Sequence, residues 1–480
     1  MNVIEAMGDA NLFARWFKNP DDWRAWRAFL ATLFALPLDD DGRDIFEACT
    51  GRTTPPAEPF NEAWLVCGRR AGKSFAMALT AVYLAAFRDY RQHLAPGERA
   101  TVMLIATDRK QARVLTRYIR ALLLEVPMLR RMVERETAES FDLARRVTIE
   151  VATASYRTIR GYTLAAAILD EIAFWPSDDA AEPDRAILDA LRPAMATLPG
   201  AVLLAASSPY SRRGALYEAH RRHYGHDGSP VLVWQAPTRA MNPTVPQSVI
   251  DEAIERDPSS AAAEYLAEFR ADIETFLAYE QIRRVTDSGI AERLPVLSGL
   301  TALDSHRKGH AYSAFVDPSG GSADSMTMAV AHLEDGVPVL DMVREVRPPF
   351  NPQSVVQEFV ADLKRYRIRE VTGDRYGGQW VSDSFRRHGV SYNHSMKTKN
   401  DIYLSFLPLV NAGECRLLDN VRLHNQLSQL ERRTSRTGRD SIDHAPGAHD
   451  DLANAAAGAI VMAKRAARCR ATVKAVMGLY

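Results

Sequence analysis

The stretch AWLVCGRRAGKSF, residues 63–75, joins an apolar run, a glycine-bearing loop and the start of a helical pattern. Its centre, GRRAGKS at 68–74, nearly matches the phosphate-loop pattern G-x-x-x-x-G-K-[ST], with Cys67 where the first glycine normally stands. In such a loop backbone N–H groups converge on phosphate, the lysine reaches the terminal phosphates and the hydroxyl binds Mg²⁺. The stretch therefore predicts a nucleotide site between a strand and a helix.

Further apolar runs on both sides of this loop predict a sheet. Strands are expected at AWLVC (63–67), TVMLIAT (101–107), VTIEVAT (147–153), AAAILD (165–170) and AVLLAAS (201–207), with helices at 74–92 and 109–124. Aromatic and leucine residues at near-helical spacing over 11–36 predict a lid or docking helix. Strand–helix alternation predicts a mostly parallel sheet with helices on both faces.

A second α/β pattern follows a polar helical region at 247–284. Strands are predicted at 313–320, 326–334, 337–346 and 370–375, and helices at 352–366, 400–411 and about 450–468. The expected organisation is an N-terminal helical segment (1–60), a phosphate-loop domain (61–275), a linker (276–311), a second α/β domain (312–468) and a tail (469–480).

Composition excludes several protein classes. Lys plus Arg and Asp plus Glu number 60 each, so any binding to nucleic acid must come from local basic patches. The four cysteines are far apart, which argues against a zinc cluster or disulfide framework and suits a reducing compartment. The longest apolar run, 75–87, is too short to span a bilayer and no secretory leader is visible, so a soluble intracellular protein is expected.

An acidic pair ends a later apolar strand, in AAAILDEIAFW at 165–175. Asp170 is positioned to hold the Mg²⁺ bound by Ser74, and Glu171 to activate water against the γ-phosphate. The alternative is a buried strand that ends in ordinary helix-capping acids. Together with the loop, the pair favours an ATPase whose cofactor-binding residues are Gly68, Arg69, Arg70, Ala71, Gly72, Lys73, Ser74 and Asp170.

Weaker features surround this first set. Ser207 and Ser208, in AASSP at 205–209, either sense the γ-phosphate or form a simple turn. Arg160 could be an arginine finger, although most such arginines are structural. The basic segments TDRKQA (107–112), RRTSRTGR (432–439) and KRAARCR (464–470) could contact DNA phosphates or a partner, or simply be solvated.

A second set of acids lies in the later α/β pattern. Asp317 sits on a predicted strand in FVDPSGG, Asp374 ends another in VTGDRYGG, and Asp450 and Asp451 open the last helix in HDDLANAAAGA. Carboxylates brought together from two strands and a helix are what a two-metal phosphodiesterase requires. Each alone would more often be a turn or cap residue. Lys397 and Lys399 could contact a scissile strand, but solvated lysines are the expectation.

Both sets, in this order, resemble the large terminase subunit of tailed bacteriophages and prophages over about 30–465. The resemblance rests on CGRRAGKS, ILDE, the serine strand end and the spaced aspartates ending in HDDLANA. It implies an N-terminal ATPase domain and a C-terminal ribonuclease-H-like nuclease. Arg69 would then sense or stabilise the γ-phosphate and Arg160 would act across a subunit boundary. Asp317, Asp374 and Asp450 would be nuclease metal ligands, with Asp451 as a fourth.

The resemblance also implies cofactors, partners and location. The cofactors would be ATP and Mg²⁺, with Mn²⁺ able to substitute in the nuclease. The partners would be double-stranded DNA, a small terminase subunit and the portal protein of the procapsid. The chain would form a homo-oligomeric ring in the host bacterial cytoplasm and would not bind a membrane. Two other functions remain open. One is a helicase-like DNA translocase with a non-cutting second domain, and the other is a scaffold protein that uses nucleotide only structurally.

Overall fold

The computed structural model describes residues 1–154, 161–175, 183–295, 310–322, 324–374, 379–434, 440–445 and 448–477, with side chains omitted at 434 and 466–477. The described residues form two compact units, one up to Asp272 and one from Ile273 onward. Arg160 and most of the basic loop 432–439 lie outside the described residues. Within the described part of the chain, no helix is both long and apolar enough to cross a bilayer.

The first unit is an α/β structure. Its strands are β1 (Glu62–Cys67), β2 (Ala100–Ala106), β3 (Val133–Glu136), β4 (Ser140–Leu143), β5 (Val147–Thr153), β6 (Thr163–Asp170), β7 (Val202–Ser207) and β8 (Val231–Ala236). Its helices are α1 (Val3–Gly8), α2 (Arg24–Leu33), α3 (Asp40–Thr50), α4 (Lys73–Phe87), α5 (Arg109–Leu124), α6 (Pro127–Arg130), α7 (Pro183–Met195), α8 (Gly214–His223), α9 (Thr238–Met241), α10 (Gln247–Arg256) and α11 (Pro258–Leu266).

These strands form one sheet in the order β3-β4-β5-β2-β6-β7-β1-β8, antiparallel from β3 to β5 and parallel elsewhere. Alternate residues of β1 contribute to separate apolar clusters on the two faces, so helices cover both sides as expected. The prediction of a mostly parallel sheet is confirmed. In this order β7 lies between β6 and β1, which brings the carboxyl ends of all three to one edge.

Two local expectations differ from the structure. Helix α4 ends at Phe87 rather than at residue 92, because Tyr90 turns back and its hydroxyl donates to the Leu84 carbonyl at 3.2 Å. The segment 11–36 is not one helix but two 3-10 turns followed by α2, whose residues are almost all buried in the core. Its aromatic residues pack into the core of the first unit, and the lid or docking role remains a prediction.

The second unit contains a five-stranded main sheet. Its strands are β9 (Ile273–Thr275), β10 (Thr286–Asp287), β11 (Tyr312–Asp317), β12 (Met326–Glu334), β13 (Val337–Val346), β14 (Glu370–Gly373), β15 (Ser391–His394), β16 (Leu417–Leu418), β17 (Leu430–Thr434) and β18 (Asp440–His444). Its helices are α12 (Tyr279–Arg284), α13 (Pro352–Arg365), α14 (Gln379–Arg387), α15 (Lys399–Ala412), α16 (Val421–Ser428) and α17 (Asp451–Met477).

The main sheet has the order β13-β12-β11-β14-β15, with β11–β13 antiparallel and β11, β14 and β15 parallel. Helices α15–α17 cover one face and α13 and α14 the other. This is the ribonuclease-H-like arrangement that the resemblance implied. The described part of 276–311 differs from the expected linker, because Phe276, Leu277, Ile282 and Val285 are buried in the core of this unit.

Helix α17 packs unusually close to β11 at Gly458. A Cβ atom added to Gly458 would lie 2.4 Å from the ring of Phe315, so only glycine fits there. Phe315 is itself 1% exposed, and cores of this kind are close-packed. This approach matters for the site, because α17 and β11 carry the predicted aspartates at their ends.

We therefore expect Gly458→Ala to lower the free energy of unfolding of the second unit by about 1–3 kcal/mol, as overpacking of a tight core does. Chemical denaturation followed by circular dichroism would measure it. Gly320→Ala is the matched control, since a Cβ at Gly320 meets no atom within 4 Å. Equal stability of the two variants would contradict the close approach.

Candidate nucleotide and metal sites

The phosphate loop connects β1 to α4. Gly72 has φ of +96°, a left-handed conformation that favours glycine, and a Cβ at Gly68 would lie 2.3 Å from the Thr238 hydroxyl. Cys67 is instead the last residue of β1, where extended backbone accepts any side chain. Burial raises the pKa of the Cys67 thiol to about 12, so it remains a neutral core residue. The departure from the glycine pattern therefore leaves the loop geometry intact.

Three side chains from outside the loop hold its backbone carbonyl groups. The indole N–H of Trp26 donates to the Ala71 carbonyl at 2.9 Å, the Thr238 hydroxyl to the Arg69 carbonyl at 2.8 Å, and the Asn242 amide to the Arg70 carbonyl at 2.8 Å. The N–H groups of Gly68, Arg69 and Ala71 already donate to backbone carbonyls, so an anion would be bound by the other N–H groups of the loop. Sequence reasoning missed the three side-chain donors, since nothing in their local sequence marks them.

Two arginines, Arg69 and Arg70, belong to the loop, and the side chain of Arg69 has a partner other than the expected γ-phosphate. The Arg69 guanidinium forms an ion pair with Glu264 at 3.1 Å and its side chain is 64% exposed. Arg70 contributes a left-handed backbone turn, with φ of +67°. For Arg69 to act on a phosphate, it would first have to leave Glu264.

The Lys73 side chain is 5% exposed and lies at the centre of the site. Its ammonium donates to the carbonyl oxygens of Cys67 (3.1 Å) and Gly68 (3.2 Å) and to the Ser208 hydroxyl (3.1 Å), and lies 3.2 Å from Glu171 Oε1. One cation thus joins the loop to the ends of β6 and β7. An incoming phosphate would replace these oxygen acceptors with its own.

Ser74 and Asp170 form the pair expected at a Mg²⁺ site. The Ser74 hydroxyl lies 3.4 Å from Asp170 Oδ2, while buried Oδ1 has no hydrogen-bond partner among the described residues. Burial, and then the charge of Glu171, raise the pKa of Asp170 to about 7 against the opposing effects of Lys73 and Ser74. A buried carboxylate with an unused oxygen beside a hydroxyl fits a divalent cation.

Glu171 has a strained backbone and a fixed side chain. Its φ of +52° is rare for a residue other than glycine and costs on the order of 1–3 kcal/mol. Its Oε2 accepts from the Ser207 hydroxyl at 3.1 Å and from the Ser208 backbone N–H at 3.0 Å. Both serines therefore contact the carboxylate that was expected to activate water, rather than forming only a turn.

In the second unit, the four predicted aspartates meet at one end of the main sheet. Asp317 ends β11, and Asp374 follows β14, where its N–H donates to the Val316 carbonyl at 3.2 Å. Asp450 immediately precedes α17 and Asp451 begins it. Asp451 Oδ2 accepts from the Ser325 backbone N–H at 3.3 Å, which fixes the start of the helix beside β12.

The charges in this cluster oppose one another. Burial first, and then the carboxylates of Asp451, Asp374 and Asp450, raise the pKa of Asp317 to about 8, although Asn454 donates to it at 2.7 Å. Burial and Asp450 likewise raise the pKa of Asp451 to about 6. Carboxylates that resist ionisation, first because they are buried and then because they lie close together, are the donor set that Mg²⁺ or Mn²⁺ would stabilise.

The structure adds residues that sequence reasoning had not placed in this cluster. Lys399 is not a solvated lysine: its ammonium lies 2.9 Å from Asp450 and 3.1 Å from Asp443. Burial lowers its pKa, but these ion pairs raise the pKa above the ordinary value. Asp443, His444 and Asp450 also form a compact set, with possible ligand atoms within 4.8 Å of one another. The segment SIDH (441–444) was not predicted to be a strand, so Asp443 and His444 were not expected to lie near the aspartates.

The side-chain hydrogen bonds to the loop carbonyls can be tested at Trp26. In Trp26→Phe the Ala71 carbonyl loses its donor, which should cost about 1–3 kcal/mol and raise the Kd of an ATP analogue about tenfold. Titration with a fluorescent analogue would measure this. Trp64→Phe is the matched control, since it loses an indole hydrogen bond to Glu62 at 2.9 Å. An unchanged Kd in Trp26→Phe, or an equal rise in both variants, would contradict the role.

Comparisons with known proteins find likeness in structure only. No known sequence family matches the chain, and no curated protein does. The HK97 bacteriophage large terminase is similar with 15% identity, covering 89% of this chain and 95% of that chain at a TM-score of 0.39. A large terminase from a thermophilic bacteriophage, in complex with ADP, has 13% identity, 84% and 95% coverage and a TM-score of 0.34. The large terminase nuclease from thermophilic phage G20c, with bound magnesium, has 17% identity, 38% and 95% coverage and a TM-score of 0.30.

Proposed function

We propose that this chain is an ATP-hydrolysing DNA motor that also carries a metal-dependent DNA endonuclease. The observation that carries the proposal is the convergence on Lys73 of the loop carbonyls, Ser208 and Glu171, beside the Ser74–Asp170 pair. A phosphate-sized anion, a divalent cation and a water-activating carboxylate all have a place there. A site that held nucleotide only structurally would not require Glu171.

In this ATPase, Gly68–Ser74 bind the phosphates and Ser74 and Asp170 hold Mg²⁺. Lys73 neutralises charge on the terminal phosphates, and the Glu171 carboxylate accepts the proton of the attacking water. Ser207 and Ser208 hold Glu171 in position and connect it to the end of β7. Arg160 remains a proposed arginine finger from a neighbouring subunit.

In the nuclease, Asp317, Asp374 and Asp450 hold Mg²⁺ or Mn²⁺, with Asp451 as a fourth ligand. Their mutual repulsion supports this assignment, because a divalent cation would remove it. The ions would activate water and stabilise the leaving oxygen of a phosphodiester. Lys399 would have to release Asp450 or remain as an additional cation beside the phosphate.

The two activities in one chain fit a large terminase subunit. In this role it would act in the host bacterial cytoplasm, assemble as a homo-oligomeric ring at the portal of a procapsid, and move double-stranded DNA inward. A small terminase subunit would be its partner. The nuclease would cut concatemeric DNA.

The ATPase assignment predicts that Glu171→Gln lowers kcat for ATP hydrolysis by about 10²–10⁴-fold, the usual effect of losing a general base. The amide oxygen can still accept from Ser208 N–H, and the phosphates of a bound analogue would replace the lost carboxylate as the partner of Lys73, so the Kd of an ATP analogue should not rise. Phosphate release and analogue titration measure the two quantities. The control is Glu218→Gln, on α8, where the carboxylate pairs with Arg185. A normal kcat in Glu171→Gln would refute the assignment.

The nuclease assignment predicts that the purified chain nicks and linearises supercoiled plasmid with Mg²⁺ or Mn²⁺, and that chelator or Asp374→Ala abolishes cleavage. Asp383→Ala, which removes an exposed carboxylate paired with Arg386, should cleave as wild type does. Gel electrophoresis measures both. DNA-stimulated ATPase without any cleavage would instead favour a translocase with a non-cutting second domain.

A further inference from the structure

Two histidines and two acids form a separate cluster in the second unit, which we call the β12 cluster: His310, His332, Glu334 and Asp341. His332 and Glu334 lie near the end of β12, Asp341 lies on β13, and His310 shortly precedes β11. The possible ligand atoms of His310, His332 and Glu334 lie within 4.8 Å of one another. The rings of the two histidines are 4.2 Å apart, centroid to centroid.

His332 has one nitrogen paired and one that is not. Its Nδ1 lies 2.7 Å from Asp341 Oδ2 and 2.9 Å from Oδ1, so the carboxylate fixes the ring orientation and retains the proton on Nδ1. Its Nε2 is buried and has no hydrogen-bond partner among the described residues. The residue is 4% exposed, so water cannot readily serve this nitrogen. An orphaned ring acceptor of this kind requires a partner.

We propose that the β12 cluster is a binding site for Zn²⁺ or a similar late first-row divalent cation. Two imidazole nitrogens and one carboxylate oxygen are the three-ligand set of zinc sites that leave a fourth position for water. The Asp341–His332 pair supplies the carboxylate–histidine arrangement that orients a metal-binding imidazole. Bonds of about 2.0–2.1 Å would draw the three ligand atoms to roughly 3.4 Å from one another, a movement of about 1 Å.

Glu334 must change partner for this to occur. Its side chain is 44% exposed and its Oε2 accepts from Arg416 at 2.9 Å. A surface pair of this kind contributes about 0–1 kcal/mol, so a metal bond readily outweighs it. Arg416 retains Asp287, at 2.8 Å, as a second partner.

The β12 cluster is distinct from the nuclease aspartates. Across β11 and β12, Tyr312 lies opposite His332 and Asp317 lies opposite Thr327. At about 3.3 Å per residue, the two sites are roughly 17 Å apart along the same strands. The ion would therefore not take part in phosphodiester cleavage. It would join the start of β11 to β12, and β11 ends at Asp317.

The test uses the full chain carrying Asp450→Asn, so that zinc bound by the nuclease aspartates is reduced. After chelator treatment and re-equilibration with Zn²⁺, retained zinc is measured by mass spectrometry and affinity by competition with a chromogenic chelator. We expect one tightly bound equivalent. His310→Asn or Glu334→Gln should weaken binding at least tenfold, and Asp341→Asn about 10–100-fold, because that change removes only the orienting charge.

His388→Asn, which alters an exposed histidine of the same unit, is the matched control and should retain the full affinity. Replacement of zinc by Co²⁺ should give a visible absorption band that disappears in His310→Asn. The proposal is overturned if the Asp450→Asn chain retains no zinc equivalent, or if His310→Asn and Glu334→Gln bind zinc as tightly as the control does. Neither result depends on ATPase or nuclease activity.

Discussion

The ion pair between Lys73 and Glu171 is the interaction on which the first unit's site depends. The ammonium is almost completely buried, and an unpaired buried charge costs several kcal/mol. Its partners come from three places in the sheet: the loop after β1, the acid after β6 and Ser208 after β7. Those strand ends must therefore remain adjacent, and the parallel order β6-β7-β1 is what keeps them adjacent.

The carbonyl groups of the loop are held by side chains from several parts of the first unit. Lys73 itself donates to the carbonyls of Cys67 and Gly68, at the start of the loop. The next three carbonyl groups, of residues 69–71, accept hydrogen bonds from Trp26, Thr238 and Asn242. Thr238 begins α9 and Asn242 immediately follows it, so both come after β8 in the chain. Trp26 lies on α2. The N-terminal segment thus helps to hold the loop of the candidate nucleotide site.

Features of the fold and of the sites could be predicted where residues close together in the sequence mark them. The glycine–lysine loop, the Asp170–Glu171 strand end and the strands of 326–334 and 337–346 are marked by residues next to one another, and the structure has the strands at those bounds. No neighbouring residues indicate the contact of Trp26 with the loop or that of Lys399 with Asp450. Their roles depend on contacts across 45 and 51 residues, and no pattern of apolar residues encodes such a pairing. Short strands such as β18 were missed for a related reason, since five residues contain too little periodicity.

Both sites contain buried carboxylates that lie close together, and in each site a lysine neutralises one of them. In the first unit a lysine already neutralises Glu171, while one oxygen of Asp170 has no hydrogen-bond partner within the described part of the chain and the pKa of Asp170 is raised. In the second unit Lys399 neutralises Asp450, and Asp317 is the carboxylate whose pKa rises most within its cluster. Each site therefore combines one acid that is already paired with one that lacks a cation. That asymmetry would let a divalent ion approach the acid that has no cation while the lysine still holds its own partner, so that each lysine holds its site together until metal binds.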